Sequence, residues 1–417
     1  MILDIVAEHA SEASFLAFRR KEAVMSPLFT LADLIELDDR LAAHMAGLFL
    51  AEDKAWDICT DELGLDEPGD FFVMMALALQ LGSSSYREEL VSKAIGSPEF
   101  SEGLVDALGW HEWQMAAPVL RQLMESDDAD MRRLGIAGAA AHRADIGPLL
   151  NRLLQDEAGP VRSRAIQYAG EVGRVDCLAD FANLATTDDN HQDFWKAWSA
   201  VLLGEKSFSS NLKRVAESEE EYAVVAANLY IRCIPVSDAR NWLKTQAESD
   251  TKQRLAIRLA GYLGDPQMVG WLIEFIRQKQ FPRLALQSIV AITGVDPEIF
   301  GLTVDPADED LAVVPNDDPA DENVEPDPDE GLPWPESLKL TEWWMGAQRD
   351  YLGEQRLQYG RPITGENLLS VLKSGTQSLR ESVAIEAALI RSDRALFNIG
   401  APGRRQAKAL GLQQLGG

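Results

Sequence analysis

The chain has 417 residues and sets 67 Asp and Glu against 39 Lys and Arg, a net charge of −28, with 46% apolar residues. Charge that far below zero excludes a protein that wraps nucleic acid, because phosphates would repel it. Three dispersed cysteines, Cys59, Cys177 and Cys233, exclude a disulfide framework and a four-thiolate metal site.

At roughly 100–200 residues per domain the length fits two to four domains or one elongated array. Asp4 and Glu8 precede any basic residue, which a signal peptide would not do. No stretch approaches the ~18 uninterrupted apolar residues of a membrane span. The expectation is a soluble, cytoplasmic protein.

Residues 1–120 read as an N-terminal helical region. Apolar residues recur at three- and four-residue spacing from Leu31 to Leu50, and FFVMMALALQL (71–81) is apolar nearly all round, the pattern of a helix buried between layers. Sustained two-residue alternation and Asn-Gly turns are lacking, so strands are not expected.

Residues 121–303 repeat. AIQYAGEVG from Ala165 and AIRLAGYLG from Ala256 lie 91 residues apart, close to three periods of about 30. Weaker copies surround them: ADMRRLGIAGAAAHR precedes GPVRSRAIQYAGEVG by about thirty residues, and RLALQSIVAITG follows from Arg283. Each copy has an acidic or turn-forming lead (SDDAD, DEAGP, ESDT), a helix with Ala or Gly at the packing positions, and a Gly stop. The lead caps the helix N-terminus, and the small residues let helices approach closely. One such hairpin cannot bury its apolar face, so neighbours must stack. The fold expected is all-α: a HEAT-like solenoid of stacked helical hairpins.

Residues 304–330 read as an acidic, proline-rich linker. From 305 to 330 there are twelve acidic residues, five prolines and no basic residue. Such a segment buries too little apolar surface to offset the entropy of ordering, so disorder is expected. Residues 331–417 carry a net charge of +3 and read as a small C-terminal helical region. It holds Trp343 and Trp344 on one helix, Thr364 as the N-cap of the next with Gly375 as its stop, and the amphipathic SLRESVAIEAALIR.

The search for chemistry returns mostly absences. No dinucleotide or phosphate-loop glycine motif is present, and Gly204–Glu205–Lys206–Ser207 lacks the leading glycine. His111–Glu112 begins like a zinc-protease helix, but Met115 stands where the second histidine belongs. His9, His44, His111, His142 and His191 do not pair at ligand spacing. Asp39, Arg40 and His44 read as a structural cluster pinning one helix to its neighbour. No catalytic residue, cofactor site or metal site is assigned, and the chain is not expected to be an enzyme.

Partner-binding candidates remain. Trp110, His111 and Trp113 form either a docking platform or packing between helical layers, and Trp195 and Trp198, at i and i+3, offer the same two readings. Arg132, Arg133, Arg162 and Arg164 recur at repeat spacing, as a lined surface or as bridges to the next acidic lead. Asp308, Glu309, Asp310, Asp317, Asp318, Asp321 and Glu322 are a solvated spacer or an imitation of a polyanion for a basic surface.

Four strings carry a resemblance: LADLIELDDRLAAHMAGL (31–48), GLVDALGW (103–110), GLPWPESLKLTEWW (331–344) and GRPITGENLLSVLKSGTQSLRESVAIEAALI (360–390). The chain resembles a proteobacterial family of HEAT-like proteins, some of which sit beside type VI secretion effectors. The resemblance implies a non-enzymatic protein-binding scaffold that neutralises a basic, nuclease-type secreted toxin as an immunity protein. It brings no catalytic motif. An adaptor or chaperone that loads effectors uses the same architecture, and a lyase on a HEAT-like scaffold is a further alternative. No direct nucleic-acid or membrane contact is expected.

Overall fold

The computed structural model describes residues 3–184, 190–278, 280–306, 327–351, 353, 355–391 and 394–412. The fold is all-α, with one two-residue hairpin as its regular β-structure among the described residues. The chain divides into two units, Met1–Phe208 with Leu372–Gly417, and Ser209–Val371.

The first unit begins with α1 (Leu3–Met25), α2 (Leu31–Ala51), α3 (Asp53–Glu62), α4 (Pro68–Gln80), α5 (Ser84–Ala94) and α6 (Pro98–Trp110). It continues through α7 (Trp113–Met124), α8 (Ala129–His142), α9 (Leu149–Leu153), α10 (Gly159–Glu171), α11 (Leu178–Asn183) and α12 (Asn190–Leu202). Local chemistry sets the starts. Thr30 and Asp33 form a reciprocal capping box at α2, and Ser83, Ser97 and Asp128 accept first-turn N–H groups of α5, α6 and α8. α4 is buried from Gly69 through Leu79, as its all-round apolar sequence requires. Every second helix packs on the next: α4 on α6, α6 on α8, α8 on α10, and α10 on α12. One hydrophobic cluster runs from Val6 to Leu203.

The second unit comprises α13 (Ser209–Ala216), α14 (Ala223–Tyr230), α15 (Val236–Gln246), α16 (Asp250–Leu263), α17 (Val269–Ile276), α18 (Pro282–Thr293), α19 (Ser337–Tyr351), the hairpin β1 (Leu357–Gln358) and β2 (Arg361–Pro362), and the start of α20 (Gly365–Ser374). Here α14 packs on α16 and α16 on α18. The chain then returns to the first unit through α21 (Gln377–Ile390) and α22 (Gly403–Ala409).

The two copies of the sequence motif make the same contact. Ser199 on α12 donates to the Ile166 carbonyl of α10 at 2.8 Å, and Ser288 on α18 donates to the Ile257 carbonyl of α16 at 2.9 Å. Gly170 and Gly261 face those serines so closely that a Cβ at either would lie about 2.9 Å from the serine Cα. The arginines repeat as well. Arg132 reaches back to the carbonyls of Ser126 and Asp127 and forward to Asp156 in the next lead, in two bonds of 2.8 Å. Thirty residues on, Arg162 reaches back to Asp156 and Glu157 and forward to Gln192. Arg133 pairs with Asp130 on its own helix, and Arg164 with Glu171. Of the two readings of these arginines, Arg132 follows the bridging one.

Segments from late in the chain cap the helix ends in both units. In the second, Leu357 donates to the Gly264 carbonyl and Tyr359 to that of Ala291. Gly264 adopts φ +73°, and a Cβ there would strike the Leu357 carbonyl, so the approach requires glycine. In the first unit, residues 394–412 form a strap along the C-terminal ends of α10, α8 and α6 in turn. Leu396 N–H donates to Glu171 O, Arg143 to Leu396 O, and Asn398 to Ala141 O. Arg405 donates to the carbonyls of Gly109, Trp110 and His111, a cation placed on the negative end of α6.

Of the acidic segment, residues 304–306 and 327–330 are described. Asp327 holds Arg283 in two bonds of 2.7 and 2.9 Å, and the buried Asp329 pairs with Arg254. Asp308, Glu309, Asp310, Asp317, Asp318, Asp321 and Glu322 lie outside the described residues.

Candidate interaction surface

The tryptophan candidates sit within internal packing. Trp110 meets Phe72 edge-on at 5.7 Å, and the Arg20 guanidinium lies over its ring at 5.6 Å. His111 is buried, with Nε2 3.1 Å from the Ala76 carbonyl. Trp113 meets the His142 ring edge-on at 5.2 Å, and His142 Nε2 lies 2.8 Å from the Leu108 carbonyl. On α12, half-buried Trp195 meets buried Trp198 edge-on at 5.4 Å. Among the described residues the Trp198 indole N–H has no hydrogen-bond acceptor. Of Asp39, Arg40 and His44 on α2, Asp39 pairs with Arg404 of the strap and His44 faces His9 of α1.

The surface that stands out lies on α1. Its solvent face presents Asp4, Glu8, Ser11, Phe15, Phe18, Glu22 and Met25 at three- and four-residue steps, one stripe of a helix. The opposite face, with Val6, Ala10, Ala13 and Leu16, is buried. Phe15 is 57% exposed and Phe18 43%, with Met25 and Leu28 beyond them. Single exposed apolar residues need no explanation, but two phenylalanines one turn apart make a patch.

Two clefts of about 410 Å³ each open beside Phe15. One also takes Phe18, Leu63 and Glu67; the other takes Leu28, Phe29, Glu36 and Arg40. The floor of the first is tied together by hydrogen bonds and close helix packing. Ser14 donates to Asp70 at 2.6 Å, and Asp70 accepts the N–H groups that open α4. Gly69 lies so close to α1 that a Cβ would strike the Ser14 carbonyl. Exposed carboxylates frame the stripe: Glu8, Glu12, Glu22, Glu62 and Glu67. Of the cations nearby, Arg19 is tied to Glu22 at 3.1 Å and Lys21 to Glu102, while the exposed Arg40 lines the second cleft among more numerous carboxylates. The surface therefore combines apolar anchor points, flanking clefts and a negative rim.

Two of the three cysteines, Cys59 and Cys177, are buried. Burial pushes the Cys59 thiol up to about 12 and the Cys177 thiol up to about 11, so both are protonated at neutral pH. Among the described residues no group of three or more His, Cys, Asp or Glu could hold a metal ion, and no helix is long and apolar enough to cross a membrane.

The α1 stripe is a feature that sequence reading missed. Phe15 and Phe18 at i, i+3 between acidic residues were the available signal, but periodicity alone assigns such a pair to the core. Comparison with protein-family models, with curated proteins and with solved structures finds no match to this chain.

Proposed function

We propose that the chain is a non-enzymatic protein-binding scaffold of HEAT-like, solenoid construction, and that it binds and neutralises a basic, nuclease-type toxin of type VI secretion as an immunity protein. The observation that carries the binding reading is the exposed Phe15–Phe18 stripe with its two clefts and acidic rim. The Ser–Gly contact that recurs about ninety residues on, and the arginine contacts that recur thirty residues on, support the solenoid reading. The net charge of −28 suits capture of a basic toxin, since opposite charge steers encounter. The immunity role itself rests on the resemblance of the four sequence strings.

The test begins with the chain as bait in its native bacterium and mass spectrometry of what it retains. The retained protein is then expressed in a sensitive host with and without the chain. A basic nuclease held near one to one, whose toxicity the chain abolishes, is the expected outcome. A bound effector that remains toxic would replace immunity with an adaptor role. Retention unaffected by Phe15→Ala with Phe18→Ala would remove α1 from the interface.

A further inference from the structure

The fold brings together two histidines that the sequence keeps 35 positions apart. His9 on α1 and His44 on α2 place their Nδ1 atoms 3.2 Å from one another, with rings 79° apart in plane. We infer that His9 and His44 form a two-imidazole site for a divalent transition-metal ion, bound through both Nδ1 atoms and clipping α1 to α2.

The spacing suits a shared ion. Two nitrogens at metal bonds of about 2.0–2.1 Å stand roughly 2.8 Å apart as cis ligands of a square-planar ion and roughly 3.4 Å apart at a tetrahedral one. The observed separation falls between these. Gly47, three residues beyond His44 on the same helix, makes the arrangement possible. A Cβ there would lie 2.5 Å from His9 Cδ2, so a larger residue would push the His9 ring off α2. Both histidines are half-buried. Glu12, one turn beyond His9, and Arg40, one turn before His44, add one charge of each sign nearby.

Without metal, one ring donates its Nδ1–H to the Nδ1 of the other. On binding, both Nδ1 lone pairs go to the ion, and the former donor takes the Nε2–H tautomer by exchange with water. No bond to carbon changes and no electron moves. Imidazole pairs favour Cu²⁺ over Ni²⁺ and Zn²⁺ by the general order of divalent affinities. No third protein ligand completes the shell among the described residues, so the other positions fall to water.

The test uses the full chain, stripped with chelator and titrated with Cu²⁺ in excess Mg²⁺ to occupy carboxylates. One tight Cu²⁺ per chain is expected, with electron paramagnetic resonance showing coupling to two imidazole nitrogens. His9→Gln and His44→Gln should each weaken binding about tenfold or more, and Gly47→Ala should weaken it with both histidines retained. Absence of binding overturns the inference. So does copper bound equally by wild type and His9→Gln, which would place the ion on carboxylates. Should a variant fail to fold, the resonance spectrum of the wild type decides: no imidazole coupling, no site.

Discussion

His111 and His142 are held below the ordinary histidine range, first by burial, with the Arg405 guanidinium adding to the effect. Each keeps a carbonyl partner, Ala76 for His111 and Leu108 for His142. A base with a lowered folded-state pKa is neutral in both states above about pH 6.5. As pH falls below that value, the unfolded chain takes up protons that the folded chain refuses, so stability is lost with acidification. The midpoint of thermal unfolding should therefore fall from pH 7 to pH 5 more steeply in the wild type than in a His111→Gln/His142→Gln variant, whose amides retain a donor. Equal slopes would refute it. Arg380 is fully buried and pushed down to about 10 by desolvation, with the Leu372 carbonyl, Gln377 and Gln406 as its acceptors. Arg380→Ala would strip three buried acceptors of their donor at about 1–3 kcal/mol each. Chemical denaturation should register a loss of at least about 3 kcal/mol.

The contact of α10 with α12 offers a sharper test of the repeating unit. A methyl group at Gly170 meets the backbone of Ser199 itself, which cannot swing aside. Gly170→Ala should cost about 1–3 kcal/mol as overpacking. Ser199→Gly removes the Cβ that faces it, so the double variant should lose less than the sum of the singles in a denaturation cycle. Strict additivity would mean that the two helices simply move apart. The glycine half of this contact was legible, since AIQYAGEVG and AIRLAGYLG share it in register. The serine half was not, because a hydroxyl some thirty residues away has no local signature. His9 and His44 were illegible for the same reason: helix periodicity assigns a face, but not the partner that face meets. Composition likewise placed Asp327 and Asp329 in a linker. Arg283 and Arg254 nevertheless bind them, because paired carboxylates need little apolar burial.

At the scale of the whole molecule, net charge and the α1 stripe should separate in kinetics. For the toxin proposed as partner, Glu8→Lys with Glu12→Lys should lower the association rate and flatten its salt dependence. Phe15→Ala should chiefly raise the dissociation rate, because apolar anchors act after encounter. Stopped-flow measurements at two salt concentrations distinguish the two, and a shared effect on association alone would deny Phe15 an anchoring role. Residues 331–417 read from the sequence as a C-terminal helical region that docks back on the array or closes its end, and residues 372–417 fold with the first 208 residues; sequence order does not reveal where a returning segment lands. Ending the chain after Ile390 removes the strap, and with it the Arg405 cap of α6 and the Arg404–Asp39 pair. Hydrogen exchange should then quicken in the last turns of α6 and α8 and leave α16 and α18 unaffected.

The strap also orders events on the ribosome. Arg20, Asp38 and the end of α6 are translated hundreds of residues before their partners at Gly400, Gly403 and Arg405. Until those partners leave the exit tunnel, the nascent first unit displays uncapped carbonyls and an Asp38 that has its Arg20 ion pair but lacks the Gly403 N–H. A chain stalled after the acidic segment would carry all of α1 to α12 and still lack the pieces that close them, making it a ready substrate for proteolytic clearance.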